Sequence, residues 1–280
     1  RGAGAVLLGV MLAGGSGQAQ EVQFGPGLRS LDFAEVFDRR EPARARMWDA
    51  FHDAGIRTIV LSQALISPFD PRRVRRQDGA FMSEGDLAHV RETLNRGPSP
   101  ADDFRVIYVG GYGLSGPACA LGPDPEVMAR AAADWEFGAV TSRILDAGIP
   151  IRAIEIDGPF LRVIEGSKKG FSCEVAPESP GYSAEISARV VMSYMKRLRD
   201  LTDAHQTNRA AGVQVEMGLL FNLPNWTVGD YPALDWAGKT GDLVNEVLPA
   251  FGRAMEADTD RPLSLSGATI DYPFYFARGN

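Results

Sequence analysis

The stretch Ile151-Arg152-Ala153-Ile154-Glu155-Ile156-Asp157-Gly158-Pro159 decides how this chain is read. Gly148 and Pro150 open it, and Gly158-Pro159 close it, so it reads as one short buried strand. Side chains alternate across a strand. Ala153, Glu155 and Asp157 therefore share one face, and Ile154 and Ile156 the other. Two acids facing an apolar back are costly unless they meet water or partners. In a barrel of parallel strands the C-terminal strand ends carry the chemistry, so this strand is expected to form the floor of an active site.

Working outward, strand-like and helix-like runs alternate about six times. Strands are predicted at 28–33, 56–62, 104–111, 151–157, 213–218 and 263–272. Helices are predicted at 41–54, from Ser83 to about Asn95, from Pro125 to Gly148, from Ser183 onward with Ile186, Val190, Tyr194 and Leu198 as one stripe, and at 239–257. Ser83-x-x-Asp86 has the form of a helix start with an acid at the third helical position. A long loop is expected from Phe160 to Gly181. Alternating strands and helices imply a parallel sheet. No Gly-rich phosphate fingerprint follows the first strand, and strand after strand ends on a polar or acidic residue. The expected fold is α/β, a (β/α)8 TIM-type barrel that stops short at its C-terminus, occupying residues 20–280.

The 280 residues suffice for one large domain. The composition, 45% apolar and 23% charged, is globular. A net charge of −7 argues against nucleic acid and anionic membranes as partners. Residues 1–19 have the make-up of a signal peptide: basic Arg1, the short apolar run Ala5–Ala13, and small residues at Gly17 and Ala19. That run is too short to span a bilayer. Export to the periplasm or medium is expected, with no membrane attachment after cleavage. The two cysteines, Cys119 and Cys173, both follow predicted strands, and an exported pair favours a disulfide.

Glu155, Asp157, Glu216 and Asp271 fall near the ends of three successive predicted strands. Crowded carboxyls repel, so one is expected to hold its proton near neutrality beside an ionised neighbour. Glycosidic bond cleavage uses such a pair. The aromatic residues Tyr112, Trp226 and Tyr272 follow strand ends, where rings could stack on a sugar, and Asn222 and Asn225 could bond its hydroxyls. The basic cluster Arg72, Arg73, Arg75 and Arg76 reads as a solvated loop face. His52, His89 and His205 fall on predicted helices, which argues against a zinc site, and no cofactor motif is present.

On Ile154-Glu155-Ile156-Asp157 and Ile270-Asp271-Tyr272 the chain resembles exported TIM-barrel glycoside hydrolases, loosely those with the α-galactosidase-like placement of acids. The resemblance implies a poly- or oligosaccharide substrate. It implies Asp157 as nucleophile or charge stabiliser and Asp271 as acid/base, with Glu155 and Glu216 in support. Two other readings stay open: a barrel lyase or isomerase using a divalent metal held by the same acids, and a carbohydrate-binding barrel without catalysis, in which Glu155 and Asp157 are structural.

Overall fold

The computed structural model describes residues 23–24, 36–66, 81–95, 104–115, 124–168, 181–228 and 240–271. In chain order the elements begin with β1 (Gln23–Phe24), α1 (Pro42–Asp53), β2 (Thr58–Ser62), α2 (Gln63–Ile66), α3 (Glu84–Leu94) and β3 (Arg105–Gly110). A 3-10 turn (Tyr112–Ser115) leads to α4 (Pro125–Glu136), a π turn (Phe137–Thr141), α5 (Ser142–Asp146), β4 (Ile151–Asp157) and α6 (Pro159–Lys168). Then come α7 (Ala184–Ala204), α8 (Gln206–Ala211), β5 (Glu216–Asn222), a second π turn (Leu243–Val247), α9 (Leu248–Ala257) and β6 (Leu265–Asp271). The six strands form one sheet in sequence order, β1 to β6. The pairs β1–β2, β2–β3 and β5–β6 are parallel. This is the α/β class with the sequential parallel order of a TIM-type barrel.

The chain divides into two compact units. The first comprises residues 1–110, 137–154 and 202–215. Its core gathers around Trp48, which stacks on Phe37 at 4.9 Å and meets Phe51 and Phe104 edge-on. The Trp48 indole N–H donates to Val36 O at 2.7 Å, so the buried ring keeps its polar edge satisfied. The buried amide of Asn208 copies a strand edge. Its Oδ1 accepts from Ile151 N and its Nδ2 donates to Ile151 O, both at 2.9 Å. That fixes the start of β4. The expected start at Ser83 is a full capping box: Ser83 Oγ accepts from Asp86 N at 3.2 Å, and Asp86 Oδ2 accepts from Ser83 N at 2.8 Å.

The second unit comprises residues 111–136, 155–201 and 216–280. Phe160 is central to its core, stacked on Phe221 at 6.0 Å and edge-on to Phe251 at 5.3 Å. Lys196 ties α7 to the approach of β6 by bonding both carboxylate oxygens of Asp258 and the carbonyl of Asp260.

Two expectations change, and a third is not tested. The loop expected from Phe160 begins instead as helix α6. Pro159 suits a first helical position, and Phe160, Val163 and Ile164 recur at helical spacing and are buried. The fifth strand runs from Glu216 to Asn222, not 213–218. Gly218 does not end it; the apolar run Met217 to Phe221 carries the strand through. The first strand expected at 28–33 lies outside the described residues, and the strand that pairs with β2 is Gln23–Phe24. Cys119, Cys173 and residues 1–19 also lie outside them.

Candidate active site

All the geometry below belongs to the second unit. Asp157 is the last residue of β4. Gly158 follows with φ of +55°, a left-handed turn that suits glycine, while its N–H still donates to Leu220 O at 2.8 Å. The chain then enters α6, which brings Arg162 back over the strand end. Arg162 NH2 donates to Asp157 Oδ2 at 2.6 Å and Arg162 Nε to Asp157 O at 2.7 Å. Its NH1 donates to Ser115 Oγ at 3.0 Å. The guanidinium lies 4.2 Å from the centre of the Tyr112 ring, a cation–π distance. The Arg162 side chain is 13% exposed and that of Asp157 30% exposed, so the pair is shielded yet the carboxylate still reaches solvent.

Glu155 stands two residues deeper on the same face of β4. Burial pushes its pKa up from the ordinary glutamate value, and a hydrogen bond from Thr269 Oγ1 at 3.3 Å partly opposes that. Gly218 makes this contact possible. A Cβ there would sit 3.2 Å from Glu155 Cγ, so glycine on β5 gives the Glu155 side chain room to reach across to β6. The β5–β6 register aligns Gly218 with Gly267, Leu220 with Thr269 and Asn222 with Asp271. Asp157, Asn222 and Asp271 are thus the last residues of β4, β5 and β6.

Sequence reasoning therefore places Asp157 and Glu155 correctly at or near a strand end, together with the backbone of Asp271, whereas Asn222, expected in the loop after the fifth strand, is the last residue of that strand. The Asp271 side chain and all of Tyr272 lie outside the described residues. Glu216 is corrected: it is the first residue of β5, exposed, at the far end of the strand from Asn222. The shifted strand boundary is the reason. Tyr112 and Trp226 are not open rings. Tyr112 is buried beneath Arg162, and Trp226, only 3% exposed, is packed into the unit. Asn225 is half-buried in a 3-10 turn after β5, and its carbonyl accepts from Thr240 N at 3.1 Å.

Two residues that the sequence did not suggest shape the site. Arg162 is one. Its signal is the helix start at Pro159, which turns a residue five positions past Asp157 back toward it. Glu136 is the other. This fully buried carboxylate accepts from Gly111 N at 3.1 Å through Oε1 and from Gly113 N at 2.7 Å through Oε2. Nothing in the local pattern distinguishes it from the other acids of α4, because its role depends on where the exit turn of β3 lies. Beside it, burial and the Glu136 carboxylate push the Tyr194 hydroxyl well above its usual pKa. Among the described residues, no three Asp, Glu, His or Cys side chains converge as a metal site would need, and no helix is long and apolar enough to cross a membrane.

No protein-family model matches this chain, and no curated protein does. Among solved structures, a family 1 β-glucosidase from Thermotoga maritima superposes with a TM-score of 0.32 and 11% identity, covering 71% of this chain and 40% of that one. A β-glucosidase from Exiguobacterium marinum gives 0.32 and 13%, covering 70% and 40%. A β-1,4-mannanase from the sea hare Aplysia kurodai gives 0.33 and 13%, covering 89% and 71%. The chain spans about two fifths of the length of these β-glucosidases. Likeness at this level decides neither substrate nor mechanism.

Proposed function

We propose that this chain is an exported glycoside hydrolase acting on a poly- or oligosaccharide. The observation that carries the reading is the Glu155–Asp157 pair. Two carboxyls share one face of one strand, at the end where barrel sites form, in opposite surroundings. Glu155 is half-buried beside the neutral Thr269 hydroxyl, and burial favours its protonated form. Asp157 is paired with the Arg162 guanidinium. Carboxyls separated in this way divide the work of acid and charge stabiliser. Glu155 donates a proton to the leaving oxygen, and Asp157 steadies the positive charge that develops on the sugar ring. With Arg162 holding one of its oxygens, Asp157 suits stabilisation better than attack. Asp271 is the last residue of β6. Asn222 is its register partner on β5, and in this reading its amide bonds sugar hydroxyls.

The same ion pair favours a second reading. Arg162 donates once to the Asp157 carboxylate and once to its backbone carbonyl, as it would around a structural carboxylate in a carbohydrate-binding barrel without catalysis. Asp157→Asn separates the two when assayed on a glycan panel beside a thermal melt. Catalysis predicts a folded variant whose turnover falls at least about 10²-fold, the loss that follows removal of one electrostatic stabiliser. A structural role predicts a lowered melt and, on any glycan the wild type cleaves, turnover unchanged per folded molecule.

A further inference from the structure

We infer that Glu136 is a positioning residue for Asp157, acting through the exit turn of β3. The inference rests on the reading of Asp157 as a working carboxylate. Glu136 ends α4 with no solvent exposure, yet its two oxygens accept the backbone N–H groups of Gly111 and Gly113 on either side of Tyr112. A charged group buried this deeply is costly unless its bonds achieve something. What they achieve is to fix the turn. Tyr112 between them supplies the ring on which Arg162 rests at 4.2 Å. Ser115, at the end of the same turn, accepts from Arg162 NH1. Gly111 also abuts the end of β4 directly, since a Cβ there would lie 2.9 Å from Ile156 Cγ2 and 3.2 Å from Asp157 O. Two faces of the Arg162 guanidinium site thus come from a turn held by Glu136, and Arg162 in turn aims the Asp157 carboxylate. The chain of contacts runs from Glu136 to the turn, to Arg162, to Asp157, each link within hydrogen-bond or cation–π distance.

A carboxylate serves where an amide cannot. Two N–H donors need two acceptor oxygens, and glutamine offers one oxygen and turns an NH₂ toward the other donor. Glu136→Gln should therefore loosen the turn without emptying any volume. The test follows the Arg162 Nε–H signal by nitrogen-edited NMR in the full chain, beside a thermal melt and steady-state kinetics. The expected result is a folded variant in which that signal shifts and exchanges faster. On any glycoside the wild type cleaves, kcat should fall by about 10²-fold with KM nearly unchanged, as for a reacting group displaced by about 1 Å. A folded variant whose Arg162 signal is unmoved overturns the inference. If the signal moves while the wild type cleaves no glycoside, the positioning stands and the hydrolase reading falls. If Glu136→Gln fails to fold, Arg162→Lys probes the same links from the other end. Shifted Gly111 and Gly113 amide signals then support the coupling, and unmoved ones refute it.

Discussion

Replacing Glu155 with glutamine should make the protein more stable at neutral pH and not in acid. The sign follows from burial. The folded-state pKa of Glu155 is raised above its ordinary value of 4.5. The folded chain therefore binds its proton more tightly than the unfolded chain, and stability falls as pH rises from 4.5 through the raised value. Above that window the wild type carries the full penalty; below it the penalty vanishes. Glutamine keeps the shape and an oxygen able to accept from Thr269, and it never ionises. Removing a poorly compensated buried polar charge is worth about 1–3 kcal/mol in protein substitutions. Glu155 is only half-buried and keeps the Thr269 bond, so the low end applies, about 1 kcal/mol. For a chain of this size that is a rise in Tm of about 2–4 °C. Thermal melts of both proteins at pH 4 and pH 7.5 read it directly. The variant should match the wild type at pH 4 and exceed it at pH 7.5. A variant equally shifted at both pH values, or less stable at pH 7.5, would show that Glu155 is not held toward its neutral form.

Three further outcomes follow from the same packing. Gly218→Ala puts a methyl 3.2 Å from Glu155 Cγ and 3.6 Å from Gly267 O; it should cost about 1–2 kcal/mol by overpacking and disturb Glu155, seen as a lowered melt and lost turnover. Arg162→Met leaves Asp157 shielded without its cation and should destabilise by about 2 kcal/mol; a double-mutant cycle with Asp157→Asn should recover most of that as coupling, and additivity would deny the pairing. Trp226→Ala should lower stability by about 3–5 kcal/mol, as for other buried tryptophans, so a stable variant that merely loses glycan affinity would restore the open-ring reading.

The alternation of strand and helix was legible in the sequence because both periods are written in the positions of Ile, Val, Leu and aromatic residues. The β4 stretch was the clearest case, since Gly148, Pro150, Gly158 and Pro159 punctuate it on both sides. The fifth strand was misplaced because Gly218 looks like a terminator, whereas its lack of a side chain is what the crossing Glu155 needs. Helix α6 was missed because the length of the segment after Pro159 outweighed the short Phe160–Val163–Ile164 pattern. Within the site, Glu155 and Asp157 were visible from alternation alone. Arg162 and Glu136 were not, because their roles depend on where a helix start and a turn place them in three dimensions. The rings of Tyr112 and Trp226 follow strands as expected, but position after a strand does not say whether a ring faces solvent or the core.

The central claim is that Glu155 delivers a proton to the departing group. It is tested most directly by comparing Glu155→Gln with the wild type on two glycosides of one sugar, one with a 4-nitrophenyl leaving group and one with an alkyl or sugar leaving group. A 4-nitrophenolate departs with little help from an acid; an alkoxide does not. The account predicts that kcat/KM for the poor leaving group falls by at least about 10²-fold, the usual worth of a general acid, while the activated substrate is cleaved nearly as before. Equal loss on both substrates, or no loss on either, would contradict it.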